Sequence, residues 1–79
     1  MLTMEVTVPW ASGPQAEVAY NSLRVEVEPA RSKVSRTMAL QGSNLLVTFR
    51  AEETRNLRVA CTNFFEHVVL VAETIRLFG

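Results

Sequence analysis

The last third of this sequence carries one uninterrupted apolar stripe. From Leu57, apolar residues recur at Cys61, Phe64, Val68, Val71, Ile75 and Phe78, at spacings of 4, 3, 4, 3, 4 and 3. At about 100° per residue these positions fall on one face of an α-helix. The helix is expected to begin at Glu52 or Glu53 and to run to Phe78. Its first turn would then be acidic, Arg76 would lie in its last turn and Gly79 would follow it, all of which suit the helix dipole and caps. Such a stripe has to be covered, and the rest of the chain supplies the cover.

Leu2, Met4, Val6, Val8 and Trp10 alternate with Thr3, Glu5 and Thr7, the pattern of a half-buried strand. Pro9 near its end suits an edge position or a strand terminus. Ser12, Pro14 and Gln15 then read as the cap and first turn of a helix from about Gly13 to Arg24, with Ala16, Ala19, Tyr20 and Leu23 at helical spacing. Residues 25–29 read as extended and 30–33 as a polar connection. Val34 to Gln41 and Leu45 to Ala51 read as two strands, with Gly42-Ser43-Asn44 as the turn between them. The expected fold is therefore α+β, one domain over residues 1–79 in the order β-α-β-β-α. A three-stranded antiparallel sheet would carry both helices on one face.

A chain of 79 residues buries roughly 60–65% of the surface its unfolded form exposes, so its stability alone is marginal. Yet 48% of its residues are hydrophobic, more than one small core can take, and the excess points to a partner. Lys+Arg and Asp+Glu are both 8, for a net charge of zero, and no run of five or more like charges occurs. Charge alone thus gives no polyanion-binding footprint. No apolar run is long enough to span a membrane. The N-terminal residues alternate like a strand, and with neither a basic nor an apolar region they do not read as a signal peptide. A soluble intracellular protein is the expectation.

Catalytic chemistry finds no footing. With one His and one Cys there is no metal-ligand cluster. His67 and Cys61 are six residues apart, on different helix faces, which argues against a Cys–His nucleophile pair. Cys61 lies on the core stripe and reads as a small buried hydrophobe. Gly13, Gly42 and Gly79 cannot form a phosphate-cradling loop. Glu52 and Glu53 stand where acids are expected at a helix start. No enzyme activity, cofactor or metal is expected. A nucleic-acid module fares little better: the KH clamp needs a Gly-x-x-Gly loop, and an RRM-like platform needs aromatics where Thr3, Glu5, Thr7 and Thr48 stand. Arg50, Arg55 and Arg58 at the start of the last helix could make an auxiliary contact to a tRNA backbone.

The apolar residues outside the core stripe are more informative. Val59, Leu70 and Leu77 lie about 200–220° around the last helix from Leu57, with Asn63 and Thr74 on the adjacent flank. In the first helix Val18 points away from Ala16, Ala19, Tyr20 and Leu23, towards Gln15 and Ser22. Gln15, Val18, Ser22, Val59, Asn63, Leu70, Thr74 and Leu77 are thus the candidate partner-binding residues. The far sheet face would carry Thr3, Glu5, Thr7, Ser35, Thr37, Thr48 and Arg50, with Ala39 and Leu46 among them; it is either wet or a second contact surface. Open sheet edges are templates for pairing. A stand-alone small RNA-binding or homodimeric interaction module is the alternative reading.

The order and spacing of several short pieces carry a resemblance over nearly the whole chain. They are Val8-Pro9-Trp10, Ala16-Glu17-Val18-Ala19, Ser22-Leu23, Glu28-Pro29, Leu40-x-Gly42 and Leu45-Leu46-Val47. Further on come Ala51-Glu52-Glu53 leading into Leu57-Arg58, then Asn63-Phe64, Leu70 and the ending Thr74-Ile75-Arg76-Leu77-Phe78-Gly79. The chain resembles the small dimerisation subunit of the KEOPS (EKC/KEOPS) tRNA-modification complex, a family that includes the L antigen (cancer/testis antigen) proteins. It departs from many members in having Glu52-Glu53 where they have Glu-Asp. The resemblance implies a non-catalytic subunit whose two helices pack on N-terminal helices of the threonylcarbamoyl-transferase subunit. It also implies a sheet side that mediates homodimerisation or pairing with a small accessory subunit. The assembly makes threonylcarbamoyladenosine in the anticodon loop of tRNAs reading codons that start with adenine, so tRNA would be met through the complex. The expected location is cytoplasmic and nuclear.

Overall fold

The computed structural model describes residues 1–25 and 33–78. Five elements follow one another: β1 (Leu2–Pro9), α1 (Gly13–Leu23), β2 (Val34–Gln41), β3 (Asn44–Ala51) and α2 (Thr54–Phe78). The order is the expected β-α-β-β-α, and the three strands form one antiparallel sheet with β3 in the middle, β1-β3-β2. The expected extension over 25–29 and the connection over 30–33 lie almost wholly outside the described residues, as does Gly79. Val25 is an exposed turn residue, and Lys33 has a positive φ of 56°.

Period-two alternation decides what each strand buries. Leu45, Val47 and Phe49 of β3 point to the helices and are fully buried, while β1 contributes Val6 and Val8, and β2 Val34 and Met38, around them. The central strand is flanked on both sides, so its inward residues are the driest in the sheet. The hairpin turn is one residue shorter than expected. Gln41 pairs with Asn44, leaving Gly42-Ser43 as the loop. Gly42 alone supplies the positive φ, 62°, which a two-residue hairpin with glycine in first place requires.

Ser12 caps α1 as its spacing predicts: its hydroxyl accepts from the Gln15 N–H at 3.3 Å and its carbonyl from the Ala16 N–H at 3.0 Å. Pro14 occupies the first turn, and the helix closes at Leu23 with Arg24 as its C-cap. Ala16, Ala19 and Leu23 are its buried side. Two small residues let the helix axis approach the sheet closely, and Leu23 fills the gap at its end.

On α2 the expected stripe is right in its first half and wrong at its end. Leu57, Cys61 and Phe64 are buried, Val68, Val71 and Ile75 pack partly against the core, and Phe78 is 85% exposed. Length explains the change. Twenty-five helical residues extend about 37 Å at 1.5 Å per residue. An eight-residue strand spans about 27 Å, so the last turns of α2 run past the sheet. The helix also begins later than expected. Glu52 and Glu53 precede its first turn, and the Glu53 carbonyl accepts from the Leu57 N–H at 3.1 Å.

One inward residue escapes the alternation argument altogether. Arg36 pairs with Phe49 on the helix-facing side of β2, where the pattern calls for an apolar residue. Its guanidinium donates to the Leu23 carbonyl at 3.2 Å and lies 5.6 Å from the centre of the Phe64 ring. A cation on the last carbonyls of α1 complements the helix dipole, and the aromatic face accepts it from the other side.

Candidate interaction surfaces

The antiparallel packing of α1 against α2 leaves a groove of about 290 Å³ between them. It is walled by Val18, Ser22 and Leu23 of α1 and by His67, Leu70, Val71, Thr74 and Ile75 of α2. The groove exists because α1 presents small residues to the sheet while α2 runs on beyond it. Four of the eight candidate partner-binding residues stand in its wall: Val18, Ser22, Leu70 and Thr74. Gln15, Val59, Asn63 and Leu77 do not line it. Val59 and Asn63 lie up to three turns earlier on α2, and Leu77 stands at its far end.

The apolar members of the set are open to solvent, with Val18 52%, Val59 54%, Leu70 64% and Leu77 61% exposed. None is tucked into the core of the chain. The Thr74 hydroxyl donates to the Leu70 carbonyl at 2.9 Å, so its one donor is already used and it offers the groove a methyl group and an acceptor oxygen. Leu23, His67, Val71 and Ile75 also belong to the groove, though periodicity assigns Leu23, Val71 and Ile75 to the core and singles out nothing about His67. Leu23 is buried, and the half-burial of His67, Val71 and Ile75 is a product of the overhang, which the periodicity does not contain.

A second apolar surface lies on the opposite flank of α2. Phe65 is 43% and Val69 60% exposed. Adjacent to them, the Cys61 thiol contacts the Met4 sulfur of β1 at 3.2 Å, which turns this flank towards the β1 edge. Leu2 and Met4 are exposed along that edge. Phe65 and Val69 sit between the two apolar stripes of α2, so neither stripe contains them.

The three arginines at the start of α2 are not gathered on one face. Arg50 pairs with Thr3 and Ser35 on the open side of the sheet. Arg55 and Arg58 stand exposed on α2, on the other side. Among the described residues no cluster of His, Cys, Asp or Glu could hold a metal ion, and no helix is long and apolar enough to cross a membrane.

The chain is similar to known proteins in sequence and in fold. A family model described as Pcc1, "Transcription factor Pcc1", matches residues 3–76. Among curated proteins, the mouse EKC/KEOPS complex subunit Lage3 is 40% identical over 72 residues, 91% of this chain and 49% of that protein. The human EKC/KEOPS complex subunit LAGE3 is 34% identical over 74 residues, 94% of this chain and 52% of that protein. The chain therefore spans about half the length of the curated relatives it matches. A solved structure described as the binary complex Gon7-Pcc1 has the same fold, with a TM-score of 0.89 at 20% identity over 99% of this chain and 96% of that one. With the model match covering nearly every residue from β1 to the last turn of α2, the chain belongs to the Pcc1 family.

Proposed function

We propose that this chain is a non-catalytic scaffold subunit of a KEOPS complex. In this reading it docks the threonylcarbamoyl-transferase subunit through α1 and α2, and it joins a second copy or a small accessory subunit on the sheet side. It would thereby support threonylcarbamoyladenosine formation on tRNAs that read codons starting with adenine, in the cytoplasm and the nucleus. The relatives named as KEOPS subunits support the assembly. The groove between α1 and α2 supports the mode of docking, and it is the observation that carries this reading: apolar residues of two helices stand open to solvent on one side of the chain.

Magnitude decides how much of the groove a partner must use. Burying Val18 and Leu70 of the groove wall together with Leu77 beyond it is worth roughly 5–8 kcal/mol at most. Association costs about 4–15 kcal/mol before any surplus appears. Three side chains are therefore too few, and Val71 and Ile75 at the groove floor have to be covered as well. A helical partner segment fits that requirement, because its own apolar ridge fills a groove between two helices.

Leu70→Asp tests the surface. Leu70 is exposed and outside the core, so the variant is expected to keep its helical circular dichroism and to lose co-purification with the transferase subunit. Val59→Asp, outside the groove wall, extends the test along α2. Folded variants that still bind fully would refute the docking surface.

A further inference from the structure

The groove between α1 and α2 is walled by apolar and hydroxyl side chains with one exception. Among the described residues that line it, His67 is the titratable one. It is half-buried already. At about 100° per residue it falls between Leu70 and Val71 around α2, so a ridge laid over those two residues covers the imidazole as well.

The charges of the described molecule are arranged away from this point. On α2, Arg55, Arg58, Glu66, Glu73 and Arg76 all lie about 100–180° around the helix from His67. Within α1 the charged residue is Glu17, which is exposed and stands about 100° from Val18 and 140° from Ser22. Arg24, the C-cap of α1, is exposed too. Glu5 and Arg50 lie on the open side of the sheet, opposite Thr48 and Thr3. Of the strand charges only Arg36 is on the helix side. Its guanidinium rests on the Leu23 carbonyl and the Phe64 ring, one turn before His67. The charge behind the groove is therefore positive.

Histidine changes its charge between pH 5 and 8. In the open groove water solvates either form. Under a partner that water is gone, and an unpaired buried charge costs far more than a neutral polar group. The acids of both helices are turned aside, and Arg36 repels a second cation across the groove floor. A neutral imidazole keeps one donor and one acceptor, which suits a wall whose other polar groups are the Ser22 and Thr74 hydroxyls. A carboxylate on the partner could pair with an imidazolium, but both ions would then lose their hydration among Val18, Leu70 and Val71.

We propose that the groove accepts its partner only with His67 neutral, so that docking expels a proton and the partner residue facing His67 is uncharged. The inference rests on the groove docking of the proposed function and adds its chemical condition. The sign follows from linkage. The free chain binds a proton that the complex does not, so affinity is full above the titration range of the imidazole and falls as pH falls through it. With an ordinary imidazole the apparent Kd rises roughly tenfold from pH 7.5 to pH 5.5.

Binding of the full chain to the purified transferase subunit, measured by calorimetry across that pH range, tests this. His67→Gln, neutral at every pH, is expected to flatten the profile. His67→Arg, charged at every pH, is expected to bind weakly even at pH 7.5. Circular dichroism checks that both variants fold. A flat wild-type profile, or a fall that His67→Gln keeps in full, would overturn the proposal while leaving the docking in place. Affinity that rises on acidification and loses this rise in His67→Gln would overturn it in favour of an imidazolium paired with a partner acid. Should the variants fail to fold, the wild type decides through calorimetry in two buffers of different ionisation enthalpy. Release of close to one proton per complex at about pH 5.5, and of almost none at about pH 8, supports the proposal, and the same small release at both overturns it. Leu70→Asp separates the two levels: binding that survives it, or no binding by the wild type at any pH, removes the groove docking itself and this inference with it.

Discussion

At the scale of single residues, Arg36 ties three elements together. A guanidinium on β2 reaches the last turn of α1 and the Phe64 ring of α2, so one side chain holds both helices to the sheet. A hydrogen bond to a charged group contributes about 1.5–3 kcal/mol, which is a large share of the stability of so small a domain. Arg36→Ala is therefore expected to lower the urea midpoint by the equivalent of about 1–3 kcal/mol. Arg36→Met, which keeps an apolar stem over Phe64 without the cap, should recover part of that loss. Equal stability of all three chains in a urea titration would remove Arg36 from this role. Cys61 is the quieter counterpart: its thiol is buried against Met4, as expected of a small hydrophobe on the core stripe.

At the scale of elements, α2 has to be divided. Phe64 and Phe78 lie on the same apolar stripe, but Phe64 is 1% exposed and meets Phe49 edge-on at 5.5 Å, while Phe78 is 85% exposed. Removing a buried phenylalanine costs about 3–5 kcal/mol, and surface changes usually stay within about 0.5 kcal/mol. Phe64→Ala is expected to unfold the isolated chain at 37 °C, and Phe78→Ala to leave its thermal midpoint nearly unchanged. A comparable loss in both would mean that the end of the helix is covered. The Arg76–Glu73 pair near that end is short, at 2.7 Å, but both side chains are more than half exposed. Solvent screening leaves such a pair little weight in stability.

At the scale of the whole molecule, the chain has more surface than it needs. It exposes 5466 Å², against roughly 4,800 Å² for a typical folded monomer of this mass, and it measures 37 × 21 × 16 Å. The long axis matches the length of α2. Elongation on this scale suits a subunit whose partners complete its core. If two copies join on the sheet side, dimerisation stabilises the folded state by mass action. The melting temperature of the isolated chain is then expected to rise by a few degrees for each tenfold increase in concentration. A melting temperature independent of concentration over three decades would show that the folded chain stands alone.

The sequence by itself determined the element order, the inward row of every strand except at Arg36, the Ser12 cap and the outward position of Val18, Val59, Leu70 and Leu77. These are properties of local periodicity, and each can be read within one element. Tertiary structure alone decided which part of the α2 stripe is core, because that depends on where the sheet ends beneath the helix. It also decided that Arg50 is separated from Arg55 and Arg58, that an arginine is tolerated on the inner face, and that Phe65 and Val69 stand beside the β1 edge. Each of these depends on the distance between elements far apart in the chain. Spacing along one element holds no record of that distance, because helix length, sheet width and the angle between them combine only in the packed molecule.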